Sequence, residues 1–104
     1  MKNLNASQWE RKLADHKDAV ILDVRTPAEC AQGTIPGARC LDFYNLEAFT
    51  DEIRTWDKPL PYFVYCRSGQ RSHQACRLME SLGFEEIHNL DGGMLAWPGG
   101  SLRM

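Results

Sequence analysis

Short apolar runs of strand length alternate along this chain with segments of helical periodicity, and that alternation is what most restricts the fold. Ala19-Val20-Ile21-Leu22-Asp23-Val24 and Tyr62-Phe63-Val64-Tyr65 read as strands covered on both faces, because neither shows the polar alternation of a strand with one wet side. Between and around them lie helical patterns. Ala6, Trp9, Leu13 and Ala14 predict an amphipathic helix over 6–17 with Asn5 as its N-cap. Thr26-Pro27-Ala28-Glu29 reads as a cap and first turn of a short helix that stops at Gly33. Leu46, Phe49, Ile53 and Trp56 mark a third helix before Pro59, and Ala75, Leu78, Met79 and Leu82 a fourth with Gly83 at its end. Short strands are expected over 38–41 and 86–90, Ile35-Pro36-Gly37 is a turn, and Gly92-Gly93 leads into a closing helix over 94–97 halted by Pro98. This order predicts an α/β domain with a mostly parallel sheet, in which sites form beyond the carboxyl ends of strands.

At 104 residues the chain is read as one domain, 1–104, large enough to fold without disulfides or a structural metal. Twelve Lys and Arg against fourteen Asp and Glu leave a formal charge of −2 without blocks of one sign, which argues against nucleic acid as a partner. The start carries no basic stretch followed by an apolar core, and no apolar run approaches the roughly 18 residues of a membrane span. The reading is a cytoplasmic protein with no membrane partner. Thiols in that compartment stay reduced, so an even cysteine count does not imply bridges. Cys30, Cys40, Cys66 and Cys76 form no C-x-x-C pair, and His16, His73 and His88 are scattered, so no metal site is expected.

Cys66 stands where a parallel sheet presents its chemistry, directly after the 62–65 run and before a helix beginning near Ser72. The amides of Arg67, Ser68, Gly69, Gln70, Arg71 and Ser72 can curl into a nest of N–H donors, with the positive end of the helix behind them. The segment 61–83 holds three Arg and the single acid Glu80, so a locally positive region lies within an acidic chain. Cysteines in such settings have pKa values of about 3.5–7.5 and are nucleophilic at neutral pH.

These residues resemble the single-domain rhodaneses, sulfurtransferases of the thiosulfate type. Cys66-Arg67-Ser68-Gly69-Gln70-Arg71-Ser72 is similar to the family's C-R-x-G-x-R-[ST] loop, Asp23-Val24-Arg25-Thr26-Pro27-Ala28-Glu29 to its D-V-R-x-x-x-E signature, and Gly92-Gly93-Met94-Leu95-Ala96-Trp97 to its closing G-G-x-x-x-W. Two positions depart from the pattern: Thr34 stands where the family commonly has His, and Cys30 where it has an aromatic residue. The resemblance implies a three-layer α/β/α domain with a mostly parallel sheet of about five strands. It also implies that Cys66 attacks the outer sulfur of a thiosulfate-like donor and forms a persulfide. A cyanide or thiol acceptor, a thioredoxin-like protein among the candidates, then removes the sulfur with no cofactor. On this reading the loop amides hold the sulfur. Arg71 organises the loop from inside, and Arg67 faces the mouth and meets the sulfonate.

Other residues have plainer readings. Asp23 and Arg25 are expected to support the site as an ion pair, Trp9 and Trp97 to cover the sheet, and His73 to face solvent. Cys76 is read as a buried small hydrophobe, and Cys30 and Cys40 as structural, with a disulfide or persulfide exchange with Cys66 left open. Two rival functions share the loop. One is a phosphatase or arsenate reductase on the same fold, whose loop has five residues between Cys and Arg where this chain has four. The other is a non-enzymatic persulfide carrier.

Overall fold

The computed structural model describes residues 1–97, so Pro98 lies outside the described residues. The chain runs through β1 (Lys2–Leu4), α1 (Ala6–Ala14), β2 (Val20–Asp23), α2 (Pro27–Ala31), β3 (Arg39–Cys40), α3 (Leu46–Ile53), β4 (Pro61–Tyr65), α4 (Gln70–Ser81) and β5 (Glu86–Leu90), then a short 3-10 helix, Gly93–Ala96. The strands pair in the order β1-β5-β4-β2-β3, and every pairing is parallel.

The central strand explains the layers. All five residues of β4 are buried, and because successive side chains point to opposite faces they feed two cores. Tyr62 and Val64 join Leu22, Phe49, Ile53, Ala75 and Met79 beneath α3 and α4, while Phe63 and Tyr65 join Trp9, Ile35 and Leu90 beneath α1. The three-layer α/β/α arrangement follows. Pro61 is tolerated in this central position because it is the strand's first residue.

Local sequence sets most element ends. Asn5 and Gln8 form a reciprocal capping box at the start of α1, and Thr26 and Glu29 form another on α2. The first helix is shorter than its pattern: it ends at Ala14, with Asp15 as the C-cap. α4 starts at Gln70, earlier than Ser72, because Gly69 adopts φ +98° and turns the chain into the helix there. Trp56 falls after α3 yet still packs on the core, its ring stacked on Tyr62 at 6.0 Å.

Two features depart from the sequence reading. β1 carries no apolar run, and it becomes a strand only because residues 88–90 at the edge of β5 offer it a parallel partner. The cysteines are also not all free. Cys30 on α2 and Cys40 on β3 form a disulfide, with Cα atoms 6.6 Å apart. The expectation of unbridged thiols came from compartment and spacing, whereas this bridge arises because α2 folds back beside the edge strand. Cys66 and Cys76 remain free and buried.

Trp9 is the keystone of the α1 layer. It has no exposed surface, donates Nε1–H to the His88 carbonyl at 3.2 Å, and meets Phe63, Tyr65 and Trp97 edge-on at 5.5–6.1 Å. Trp9→Ala is expected to cost about 3–5 kcal/mol of unfolding free energy, measured by equilibrium denaturation in urea.

Candidate active site

The loop after β4 bends round the sulfur of Cys66. Gly69 N–H points at Sγ from 3.1 Å and Ser72 N–H from 3.4 Å, and Cys66 itself has no exposed surface. Burial pushes the thiol up. The Ser72 hydroxyl and the amides of Ser72, Gly69 and Ser68 stabilise the thiolate more strongly, and the net shift is below an ordinary thiol. Ser72 Oγ is buried without a hydrogen-bond partner among the described residues, so its O–H is uncommitted and free to turn toward the thiolate. Cys76, enclosed in the α4 core without such donors, is shifted strongly upward by burial. The two free thiols thus differ in chemistry, and Cys76 matches its reading as a core residue.

The backbone of this loop is clasped from behind by the Gly-Gly segment. Met94 N–H donates to the Cys66 carbonyl at 3.0 Å and Leu95 N–H to the Arg67 carbonyl at 3.1 Å. Gly93 lets the two segments approach: a Cβ there would lie 2.5 Å from both the Cys66 and Arg67 carbonyl oxygens. The turning of those carbonyls outward toward the clasp leaves the following amides facing the sulfur. Asn89, almost wholly buried, adds a longer contact from Nδ2 to the Gly69 carbonyl at 3.4 Å.

The two loop arginines are used differently. Arg71 makes two parallel hydrogen bonds to the Glu29 carboxylate, at 2.7 and 2.9 Å, and its guanidinium lies 4.9 Å from the centre of the Tyr44 ring. The Arg71 pair, with help from the Thr26 amide, holds the Glu29 carboxyl down at about 2, and Glu29 in turn raises Arg71. Glu29 Oε1 therefore serves twice, as the cap of α2 and as the anchor of the loop. Arg67 is exposed and makes no side-chain hydrogen bond or ion pair among the described residues. Ser68 and Gln70 are also exposed, while Gly69 and Ser72 are buried.

Asp23 and Arg25 form the ion pair expected of them, 2.7 Å between Arg25 Nη2 and Asp23 Oδ2, both residues buried. They do not reach Cys66. Arg25 Nη2 also donates to the Gly33 carbonyl at 2.8 Å, and the Ile35 amide donates to the Tyr65 hydroxyl at 3.0 Å. The 33–35 segment is thus held through its backbone. His73 is half-buried, with Nδ1 3.5 Å from Asn3 Oδ1.

A recess of about 530 Å³ opens beside the loop, lined by Ser68, Gly69 and Gln70 with Asn3, His73 and Asn89. A second, of about 420 Å³, lies at the other end of β5 around Lys2, His16 and Glu86, away from the sulfur. Among the described residues no three His, Cys, Asp or Glu side chains gather as metal ligands, and no helix is long and apolar enough to cross a membrane.

Known proteins share this combination of fold and loop. The rhodanese-like domain family matches residues 6–99. A sulfurtransferase of Allochromatium vinosum is 38% identical over 97 residues, covering 93% of this chain and 88% of its own. The thiosulfate sulfurtransferase GlpE of Pseudoalteromonas translucida is 35% identical over 86 residues, covering 83% of this chain and 79% of its own. The crystal structure of a rhodanese-like domain protein from Staphylococcus aureus superposes with a TM-score of 0.80 at 32% identity, over 93% of this chain and 91% of that one. A parallel α/β domain with a cysteine loop at the carboxyl edge of its sheet is the class defined here. The chain belongs to the rhodanese-like domain family, and its relatives include sulfurtransferases.

Glu29, Tyr44 and Gly93 were given no part in the site by sequence reasoning, although Glu29 and Gly93 fall within the quoted motifs. Gly93→Ala places a methyl against two carbonyl oxygens at a positive φ of 58°. It is expected to cost about 2–4 kcal/mol and to return Cys66 toward an ordinary thiol pKa, read from the pH dependence of its alkylation rate.

Proposed function

We propose that this chain is a thiosulfate-type sulfurtransferase that carries a sulfane sulfur on Cys66 and passes it to cyanide or a thiol. The observation that supports this best is the ring of amides round the Cys66 sulfur. Such donors stabilise a thiolate before attack and a persulfide anion after it.

The steps balance without a further reagent. The Cys66 thiolate attacks the outer sulfur of thiosulfate, a Cys66 sulfur–sulfur bond forms, the sulfur–sulfur bond of thiosulfate breaks, and sulfite leaves with the electron pair. In the second half, cyanide attacks the outer persulfide sulfur and departs as thiocyanate, regenerating the thiolate. A thiolate acceptor, on a small molecule or a thioredoxin-like protein, departs as a persulfide by the same displacement. This is covalent catalysis in two displacements. Cys66 lies at the floor of the loop, so the ring has to part by about the width of one sulfur atom, and loading depends on how well the loop is held.

Arg71 suits the inner, organising role, because Glu29 already neutralises it. Arg67 suits the donor, because it is the exposed, unpaired cation of the loop among the described residues. The loop encloses four residues between Cys66 and Arg71 where the rival phosphatase loop has five, which favours sulfur over the larger phosphate group.

Intact mass after thiosulfate treatment tests the reading. The wild type is expected to gain one sulfur and Cys66→Ser none; no adduct on the wild type, or hydrolysis of an aryl phosphate in its place, overturns the proposal. For Arg67→Ala the KM for thiosulfate is expected to rise about tenfold with a smaller change in kcat. An unchanged KM removes Arg67 from donor binding.

A further inference from the structure

α2 is held in an unusual way. Its five residues bury no side chain, and a helix of one turn has no stability of its own in water. Packing therefore does not fix it. Its attachments are the Thr26–Glu29 capping box, which closes the helix on itself, the paired hydrogen bonds from Arg71 to Glu29, the Cys30–Cys40 bond to β3 and, just past its end, the hydrogen bond from Arg25 to the Gly33 carbonyl. β3 is a two-residue strand at the sheet edge, and Cys40 on it is exposed. The cystine thus joins the chain one residue after the carboxylate that anchors the Cys66 loop, and it is open to reagents in solvent. The other two cysteines are buried and free.

We infer that the Cys30–Cys40 cystine is a thiol–disulfide exchange site for a dithiol reductant, and that its reduction releases α2 and slackens the grip of Glu29 on Arg71. The consequence for catalysis, slower loading of Cys66, rests on the sulfurtransferase reading; the release of α2 does not.

One thiolate of the dithiol attacks the sulfur of Cys40, an exposed residue, forming a mixed disulfide as the bond to Cys30 breaks. Cys30 leaves with the electron pair and takes a proton from water. The second thiol of the reductant then attacks the mixed disulfide at its own sulfur, expels Cys40 as thiolate, and departs as a cyclic disulfide. Two electrons pass to the protein, and two protein thiols result. The reduced form has a place for the Cys40 proton: its sulfur already faces the carbonyls of Arg25 at 3.6 Å and Thr26 at 4.0 Å. Cys66 does not compete for the reductant, because it is a free thiol and offers no disulfide to exchange.

Reduction removes the covalent tether and leaves α2 with its own cap, the Arg25–Gly33 hydrogen bond beyond its end and a half-exposed ion pair. A pair of that kind is weak when one of its partners is not fixed in place, since ordering both side chains costs entropy. Arg71 then spends part of its time unpaired, and the loop it closes over Cys66 loses order.

The test uses the whole protein, oxidised or reduced with dithiothreitol under argon and freed of it by gel filtration, because dithiothreitol would itself take sulfur from a persulfide. Alkylation after denaturation is expected to count two thiols before reduction and four after it. Hydrogen exchange over 27–33 and 67–72 is expected to speed up on reduction. Loading from thiosulfate is expected to slow about fivefold, and the double variant Cys30→Ser with Cys40→Ser to match the reduced wild type. Glu29→Gln is expected to load slowly in both states, with no response to reduction, which a merely structural bridge would not produce. A cystine untouched by millimolar dithiothreitol overturns the exchange site, and unchanged hydrogen exchange overturns the release of α2 whether or not sulfur is loaded. Equal loading rates for the two forms of a protein that does load overturn the link to catalysis, as does a full response in Glu29→Gln. Absence of loading in both forms overturns the sulfurtransferase reading, and hydrogen exchange then decides the release of α2.

Discussion

Amides converging on a buried sulfur require a backbone that would rather face water, and much of the architecture around Cys66 answers that requirement. Gly69 and Ser72 aim their N–H groups inward, which obliges the carbonyls of Cys66 and Arg67 to find donors elsewhere. Met94 and Leu95 supply them, and Gly93 is the residue that allows so close an approach. The loop and the segment after β5 are therefore one unit of hydrogen bonding split across the sequence. Buried backbone groups left without partners would be costly, so neither half is stable without the other.

Electrostatics complete what the backbone begins. The thiolate is stabilised chiefly by the Ser72 hydroxyl and the loop amides, with the arginines at a distance. Arg71 has its charge balanced by Glu29, while Arg67 keeps a free one. Two residues of the same type, four apart on one loop, thus stand in different surroundings, one paired with a carboxylate and the other exposed. Likewise Asp23 and Arg25 act on the 33–35 segment and on Tyr65 rather than on the sulfur, so they shape the neighbouring wall.

Legibility in the sequence follows the range of the interaction. β2, β4 and β5 announce themselves by composition, and the Cys66 loop lies within seven consecutive residues, so both can be read directly. β1 has no signal of its own, since Lys-Asn-Leu becomes a strand only beside residues 88–90. Glu29 and Arg71 are 42 positions apart, and nothing local pairs them. The Cys30–Cys40 bridge is missed for the same reason, with compartment and spacing both pointing away from it.

The pairing of β1 with β5 has a bearing on synthesis. Lys2, Asn3 and Leu4 pair beside His88, Asn89 and Leu90, so one edge of the sheet joins segments 86 positions apart in the chain. Contacts of such long sequence separation form slowly. On the ribosome, the β1 residues must wait without a strand partner until residue 90 has left the exit tunnel. For that interval Trp9 lacks the His88 carbonyl that receives its indole N–H, and the apolar face of α1 is open to chaperones or to other nascent chains.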